Sequence, residues 1–233
     1  MSENKISNIM KQQGLTAIYR NKRIGNIHTS PNTKQYRPSN KLNNLTKEQR
    51  NQEIWSIDFT EEKIENKKLY TCAIVSINTR MIVGHSTTTK NTSQHAVSTI
   101  IEAVSKYGPP SMISSDRGSP FTSKLYYDTL KMLGITQSMS RPRKAVDNRY
   151  IETVFKSMKI ELGKTSHLKK EEYIRVVSYW VHYYNTKRLH SSLGYITPLE
   201  KFLRSINDPE ELYIETRKIL TESEFSTNSL SVR

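Results

Sequence analysis

From residue 53 onward apolar residues gather into short runs, and the spacing inside each run predicts an element. Ile54-Trp55-Ser56-Ile57-Asp58-Phe59 reads as a strand. Leu69 to Ile77 is almost continuously apolar, as a central strand covered on both faces is. Residues 80–86 form a third strand, joined to the second by a tight turn at Asn78-Thr79. Val97, Ile100, Ile101, Val104 and Tyr107 then recur at helical spacing, and Gly108-Pro109-Pro110 stops that helix. A fourth strand follows over Ser111–Asp116, a helix over Ser123–Leu133 ended by Gly134, and a fifth strand over Ile135–Met139. Ile151, Val154, Phe155, Met158 and Leu162 mark another helix ended by Gly163, and Ile174, Val177, Val181 and Tyr184 a long one after it.

Three strands without crossover helices predict an antiparallel meander, and the alternating remainder predicts parallel additions to the same sheet. The result is a mixed α/β domain over roughly residues 52–190. Residues 1–50 differ. Ile6, Ile9 and Met10 suggest one short helix ending near Gly14, and 26–44, with Pro31, Pro38 and many Asn, Ser and Thr, reads as an extended linker.

Composition narrows the class. The 233 residues carry a net charge of +14 and a pI near 9.7, with a mean hydropathy of −0.67. No apolar run of eighteen residues exists, so no transmembrane helix is expected, and no membrane partner. The N-terminal stretch lacks the apolar core of a signal peptide. With Cys72 as the one cysteine, no intrachain disulfide or cysteine-rich zinc site can form, which fits a reducing, cytoplasmic setting. Ten Lys/Arg against two acids give +8 over residues 1–50; residues 51–140 carry +1, residues 141–190 +7, and residues 191–233 −2. Two basic zones flanking a near-neutral middle suit a phosphate-bearing polyanion, above all nucleic acid.

Three acids stand in unusual places. Asp58 lies inside an apolar strand, where a carboxylate is costly unless paired or bound to a cation. Asp116 ends the fourth strand before Arg117-Gly118, where open α/β sheets place ligand groups. Glu152 opens a helix, with Lys156 and Lys159 on its own face at i+4 and i+7. Taken singly, each has an ordinary reading as a strand-end polar residue, a turn former or a first-turn acid. Together, three carboxylates suit Mg²⁺, and two such ions about 3.5–4 Å apart can hold the attacking and leaving oxygens of a phosphodiester.

Several blocks in order carry a family resemblance: Trp55-Ser56-Ile57-Asp58-Phe59-Thr60; Ser115-Asp116-Arg117-Gly118-Ser119; Ser138-Met139-Ser140-Arg141; Asp147-Asn148 with Glu152; and Tyr184-Asn185, Arg188, His190, Leu193-Gly194-Tyr195 and Thr197-Pro198. Asp116 and Glu152 have 35 residues between them. In these blocks and this interval the chain resembles bacterial insertion-sequence transposases of the second-reading-frame type, which share a catalytic core with retroviral integrases. Phe59 with Glu61-Glu62-Lys63, and Arg143-Lys144-Ala145-Val146 before Asp147, depart from that pattern.

The resemblance implies a ribonuclease-H-like mixed five-stranded sheet flanked by helices. The catalytic core would span residues 51–203, behind a basic arm over 1–50 (a possible remnant of a helix-turn-helix region) and before a polar tail over 204–233. It implies Asp58, Asp116 and Glu152 as a catalytic triad binding Mg²⁺ or Mn²⁺, with two ions expected. The activity would be DNA strand cleavage and strand transfer at element ends, without ATP, and the setting the bacterial nucleoid. Lys156, Lys159, Asn148, Arg143, Lys144, Arg188 and His190 are candidate DNA contacts. Asn148 is alternatively an orienter of Glu152, and Arg188 with His190 a helix C-terminal cation pair. The aromatic run Tyr179–Tyr184 reads better as core than as a base-stacking surface. Expected partners are DNA ends and target, a second copy of the chain, and an upstream helix-turn-helix protein or fusion. Two other readings stand beside this one: a catalytically silent transposase remnant acting as a regulator, and a nuclease that nicks without joining.

Overall fold

The computed structural model describes residues 36–142 and 145–206. The short helix near Ile6, most of the linker, Arg143, Lys144 and the tail from 207 lie outside the described residues.

Five strands form one sheet in the order β3-β2-β1-β4-β5. They are β1 (Ile54–Ile64), β2 (Lys67–Ser76), β3 (Ile82–Thr88), β4 (Met112–Ser115) and β5 (Thr136–Met139). β1, β2 and β3 pair antiparallel, while β4 joins β1 and β5 joins β4 in parallel. The predicted meander with parallel additions is therefore the observed topology. The helices are α1 (Lys47–Arg50), α2 (Ser93–Tyr107), α3 (Lys124–Met132), α4 (Arg149–Leu162), α5 (Lys170–Thr186) and α6 (Pro198–Leu203).

Strand alternation divides the core in two. Trp55, Ile57, Cys72 and Ile74 face α2 and α3, where they pack with Ala96, Ile100, Tyr126 and Leu130. Ala73 and Val75, with Ile64 and Leu69, face α4 and α5, where they meet Ile151, Val154, Phe155, Val177 and Trp180. Gly84 lets α2 approach β3: a Cβ there would lie 3.1 Å from the Ala103 Cβ. Within the aromatic run, Trp180, Val181 and Tyr184 are buried, while Tyr179 and Tyr183 remain exposed.

Some boundaries differ from the sequence reading. β1 continues through Glu61-Glu62-Lys63, because charged residues at the far end of the β1–β2 hairpin pair across strands while Ile64 and Leu69 turn into the core. Glu61 lies 2.9 Å from Lys68, and Glu65 and Asn66 supply the two left-handed turn positions. The loop from β2 to β3 closes at Arg80, also left-handed, with the Ser76 N–H donating to the Met81 carbonyl. Residues 36–41, read as linker, lie against the core. The Tyr36 ring stacks on Tyr127 at 4.5 Å, and the Lys41 N–H donates to Ser138 Oγ at 2.9 Å.

Candidate active site

The sheet register brings two of the acids level. Ser56 on β1 pairs in parallel with Ser114 on β4. Asp58 and Asp116 each lie two residues further on, so they stand side by side, on neighbouring strands about 4.8 Å apart, and on one face of the sheet. That face is the one α4 covers. Asp116 follows the last residue of β4, while Asp58 lies within the longer β1.

Each carboxylate is fixed locally. Asp58 Oδ1 accepts the Phe59 N–H at 2.7 Å, and Oδ2 accepts Asn148 Nδ2 at 2.9 Å. Asn148 Oδ1 in turn accepts from Ser56 Oγ at 3.3 Å. Asp116 Oδ1 accepts the Gly118 N–H at 2.8 Å. A Cβ on Gly118 would come within 3.0 Å of that oxygen, so the bare glycine permits this turn. Arg117 Nε, bound to the Ser140 carbonyl at 2.8 Å, secures the turn to the end of β5. Glu152, in the first turn of α4, is exposed.

The charges of Asp116 and Glu152 both act on Asp58. Burial raises the pKa of Asp58 first, the negative charge of Asp116 second, and Glu152 adds to both. The hydrogen bonds from the Phe59 amide and Asn148 pull the other way, and the result is about 7. Burial also raises Asp116, against its bond from Gly118. Among the described residues, no group of three His, Cys, Asp or Glu stands close enough to form a ready metal cage. The donor chemistry nonetheless fits a hard divalent cation: carboxylate oxygens only, with like charges that a cation would relieve. Asp58 and Asp116 are held by hydrogen bonds, while Glu152 is exposed in the first turn of α4.

The other expected site residues divide. Lys156 and Lys159 are exposed beside Glu152 on α4, and Lys159 Nζ reaches the Glu61 carbonyl at 3.2 Å. Asn148 is 4% exposed, and its amide is bonded to Asp58 and Ser56. Arg188 is not a free cation: it pairs with Glu161 at 2.8 Å and donates to Ser157. His190 packs edge-on to Tyr184 at 4.8 Å. Burial, then the charges of Arg188 and Arg80, push its pKa down to about 4, so at neutral pH it is uncharged and weakly suited to grip a phosphate.

Three contributions went unread in the sequence. Asn185 donates to the Ile82 carbonyl and accepts the Ile82 N–H, both at 2.9 Å, tying the end of α5 to β3. Asp147 is 5% exposed and accepts from Asn40 Nδ2 at 2.6 Å and from the Arg141 guanidinium at two atoms, which latches the approach to α4. Ser56 positions Asn148. Its signal was available: residues 56 and 58 are both polar and share one face of an otherwise apolar strand.

The integrase core domain family matches residues 48–145, and a second integrase core domain family matches residues 133–198. The transposase for insertion sequence element IS904 of Lactococcus lactis subsp. lactis (strain IL1403) is 32% identical over 163 residues, 68% of this chain and 64% of that protein. The putative transposase InsK for insertion sequence element IS150 of Escherichia coli (strain K12) is 28% identical over 153 residues, 64% of this chain and 53% of that protein. The chain thus spans between half and two thirds of these relatives. Among solved structures, a simian T-cell lymphotropic virus intasome in complex with PP2A regulatory subunit B56 gamma aligns with a TM-score of 0.53 at 17% identity, covering 76% of this chain and 59% of that one. That likeness is one of fold.

Proposed function

We propose, from the matches of two integrase core domain models to residues 48–145 and 133–198, that the chain is the catalytic part of a DNA transposase. It cleaves strands at insertion-sequence ends and transfers them to a target. The observation that carries this reading is the register that sets Asp58 beside Asp116 on the face α4 covers, with Glu152 in the first turn of that helix. The names of the two bacterial relatives support the substrate class.

In this reading Asp58, Asp116 and Glu152 hold one or two Mg²⁺ or Mn²⁺ ions. A cation bound there supplies charge to offset the in-line transition state and lowers the pKa of the attacking hydroxyl. The chain's own residues do the rest. Asn148 keeps Asp58 turned towards the site. The Gly118 amide and Arg117 fix Asp116. Lys156 and Lys159 hold phosphates of the end DNA along α4. Cleavage by water frees a 3′-hydroxyl, and that hydroxyl then attacks a second phosphodiester. The joining step conserves the number of phosphodiester bonds, so it needs no ATP.

Two ends must be joined, so the working complex holds at least two copies. Selective recognition of the ends is assigned to an upstream helix-turn-helix protein or fusion, and the setting to the bacterial cytoplasm at the nucleoid. No helix among the described residues is long and apolar enough to cross a membrane.

The test is incubation of the chain with labelled element ends and Mg²⁺ or Mn²⁺. Wild type should cut and join. Asp116→Asn should lose both by a hundredfold or more, roughly the scale seen when a single electrostatic stabiliser is removed, while still binding DNA. Binding without cutting by wild type would indicate a silent regulator, and nicks without joined strands a plain nuclease. Full activity in Asp116→Asn would remove the triad assignment.

A further inference from the structure

A cleft of about 530 Å³ opens between α4, the end of α5 and the loop that follows. It lies within the range of roughly 300–1,000 Å³ usual for small-molecule sites. Three arginines line it, Arg80, Arg149 and Arg188, together with three tyrosines, Tyr150, Tyr184 and Tyr195. The Arg80 guanidinium lies 4.3 Å from the centre of the Tyr150 ring, and that of Arg149 lies 4.9 Å from the same ring. Arg188 is paired with Glu161, and no other ion pair involves these arginines among the described residues. Arg80 Nη1 is enclosed without a hydrogen-bond acceptor. His190 at the cleft wall has its pKa lowered first by burial and then by the charges of Arg188 and Arg80.

Tyr195 and Arg80 are two of the four non-glycine residues in the left-handed region among the described residues, at φ 61° and 64°. Tyr195 is 72% exposed. The turn from His190 to Ile196, closed by the Tyr195 N–H donating to the His190 carbonyl at 2.9 Å, sets this conformation and leaves the Tyr195 ring in solvent at the rim of the cleft.

Position supplies the ligand. Arg149, Thr153 and Ser157 follow at every fourth residue of α4 and line the cleft. Their stripe adjoins the one that carries Glu152 and Lys156, about 100° round the helix. A strand lying along the carboxylate stripe has only to turn over the helix to enter the cleft.

We propose that this cleft holds an unpaired nucleotide of the DNA strand beside the cleavage point, its phosphate against the guanidinium groups and its base against the exposed Tyr195 ring. The inference rests on the DNA reading above. Guanidinium with aromatic faces suits a nucleotide better than free phosphate, which has no use for the rings. Duplex bases are already stacked on each other, so the occupant is single-stranded.

The experiment compares two probes on the full chain without metal. One is a blunt 20-base-pair duplex; the other is the same duplex with a three-nucleotide single-stranded extension containing 2-aminopurine. Anisotropy should show tighter binding of the extended probe, and stacking should quench the fluorophore. Tyr195→Ala and Arg149→Gln, both changes at exposed positions, should remove that advantage by about fivefold or more, the lower end for one stacked base. Blunt-duplex affinity should stay within about twofold in Tyr195→Ala, and Tyr195→Trp should restore quenching. Equal binding of the two probes by wild type, or an advantage that survives in both variants, overturns the cleft assignment and leaves the DNA reading standing. Failure of wild type to bind either probe overturns both. Loss of self-association in Tyr195→Ala, with the extension still preferred, makes the cleft a protein contact and overturns the proposal.

Discussion

Asp58 occupies a place where a carboxylate is hard to keep ionised. Its folded pKa of about 7 lies above the ordinary value of 3.8. Its protonated form therefore favours the folded state; that contribution is whole below pH about 4 and is lost as pH rises through about 7. Asparagine imitates the protonated acid. In metal-free protein, Asp58→Asn should match wild type in thermal melting at pH 4 and exceed it at pH 8, by a few kcal/mol at most. Ser56 is a hydroxyl that can reverse, so the Asn148 amide can turn over and keep its bond to the new side chain. Equal melting at pH 8 would mean that the three acids are not crowded. At this scale the sequence was legible for the acids, because Asp58 breaks an apolar run and Asp116 sits at a strand end. Asn148 was visible, but nothing in a linear pattern tells which of two nearby carboxylates an amide will meet.

Elements with a strong period were read correctly in kind and order, and their ends were not. α2 begins at Ser93, before its first apolar residue, because Thr92 caps it by accepting the His95 N–H. The far half of the β1–β2 hairpin carries charges and alternates weakly, so only pairing to a partner strand defines it. Asn185 belongs to the same class of missed signal. Its amide completes a strand-like pair with Ile82, and a side chain acting as backbone has no sequence period. Asn185→Ala should destabilise the chain by about 2 kcal/mol, since it removes two hydrogen bonds and leaves a buried N–H and C=O of β3 unmet. Urea unfolding reads this directly. A change below about 0.5 kcal/mol would mean that water replaces the amide at no cost.

Over the whole molecule, the charge of +14 separates into zones around a site made of acids. The basic face of α4 lies next to the carboxylates, so attraction for DNA and repulsion among the acids meet on one helix. The packed unit also begins earlier than residue 51, where the polar composition of the arm had placed its edge. We take residues 36–41 as part of the core. Their contacts are backbone hydrogen bonds, the Asn40–Asp147 side-chain bond and one stacked ring pair, features that hydropathy does not register. A chain starting at Leu42 should be less stable than one starting at Lys34 by roughly 2–4 kcal/mol, from the lost stacking and hydrogen bonds. Equal denaturation midpoints would return those residues to the arm. The contact from Asn40 to Asp147 spans 107 residues of chain. Closing so wide a loop has an entropic cost that local contacts do not bear, about 4 kcal/mol on the logarithmic scaling. Asp147 is held from two sides, by Arg141 six residues away and by Asn40 from the far end of the chain. Asn40→Ala should therefore speed amide exchange in the turn that introduces α4 while leaving the central strands protected, so that the approach to Glu152 can loosen without the sheet opening.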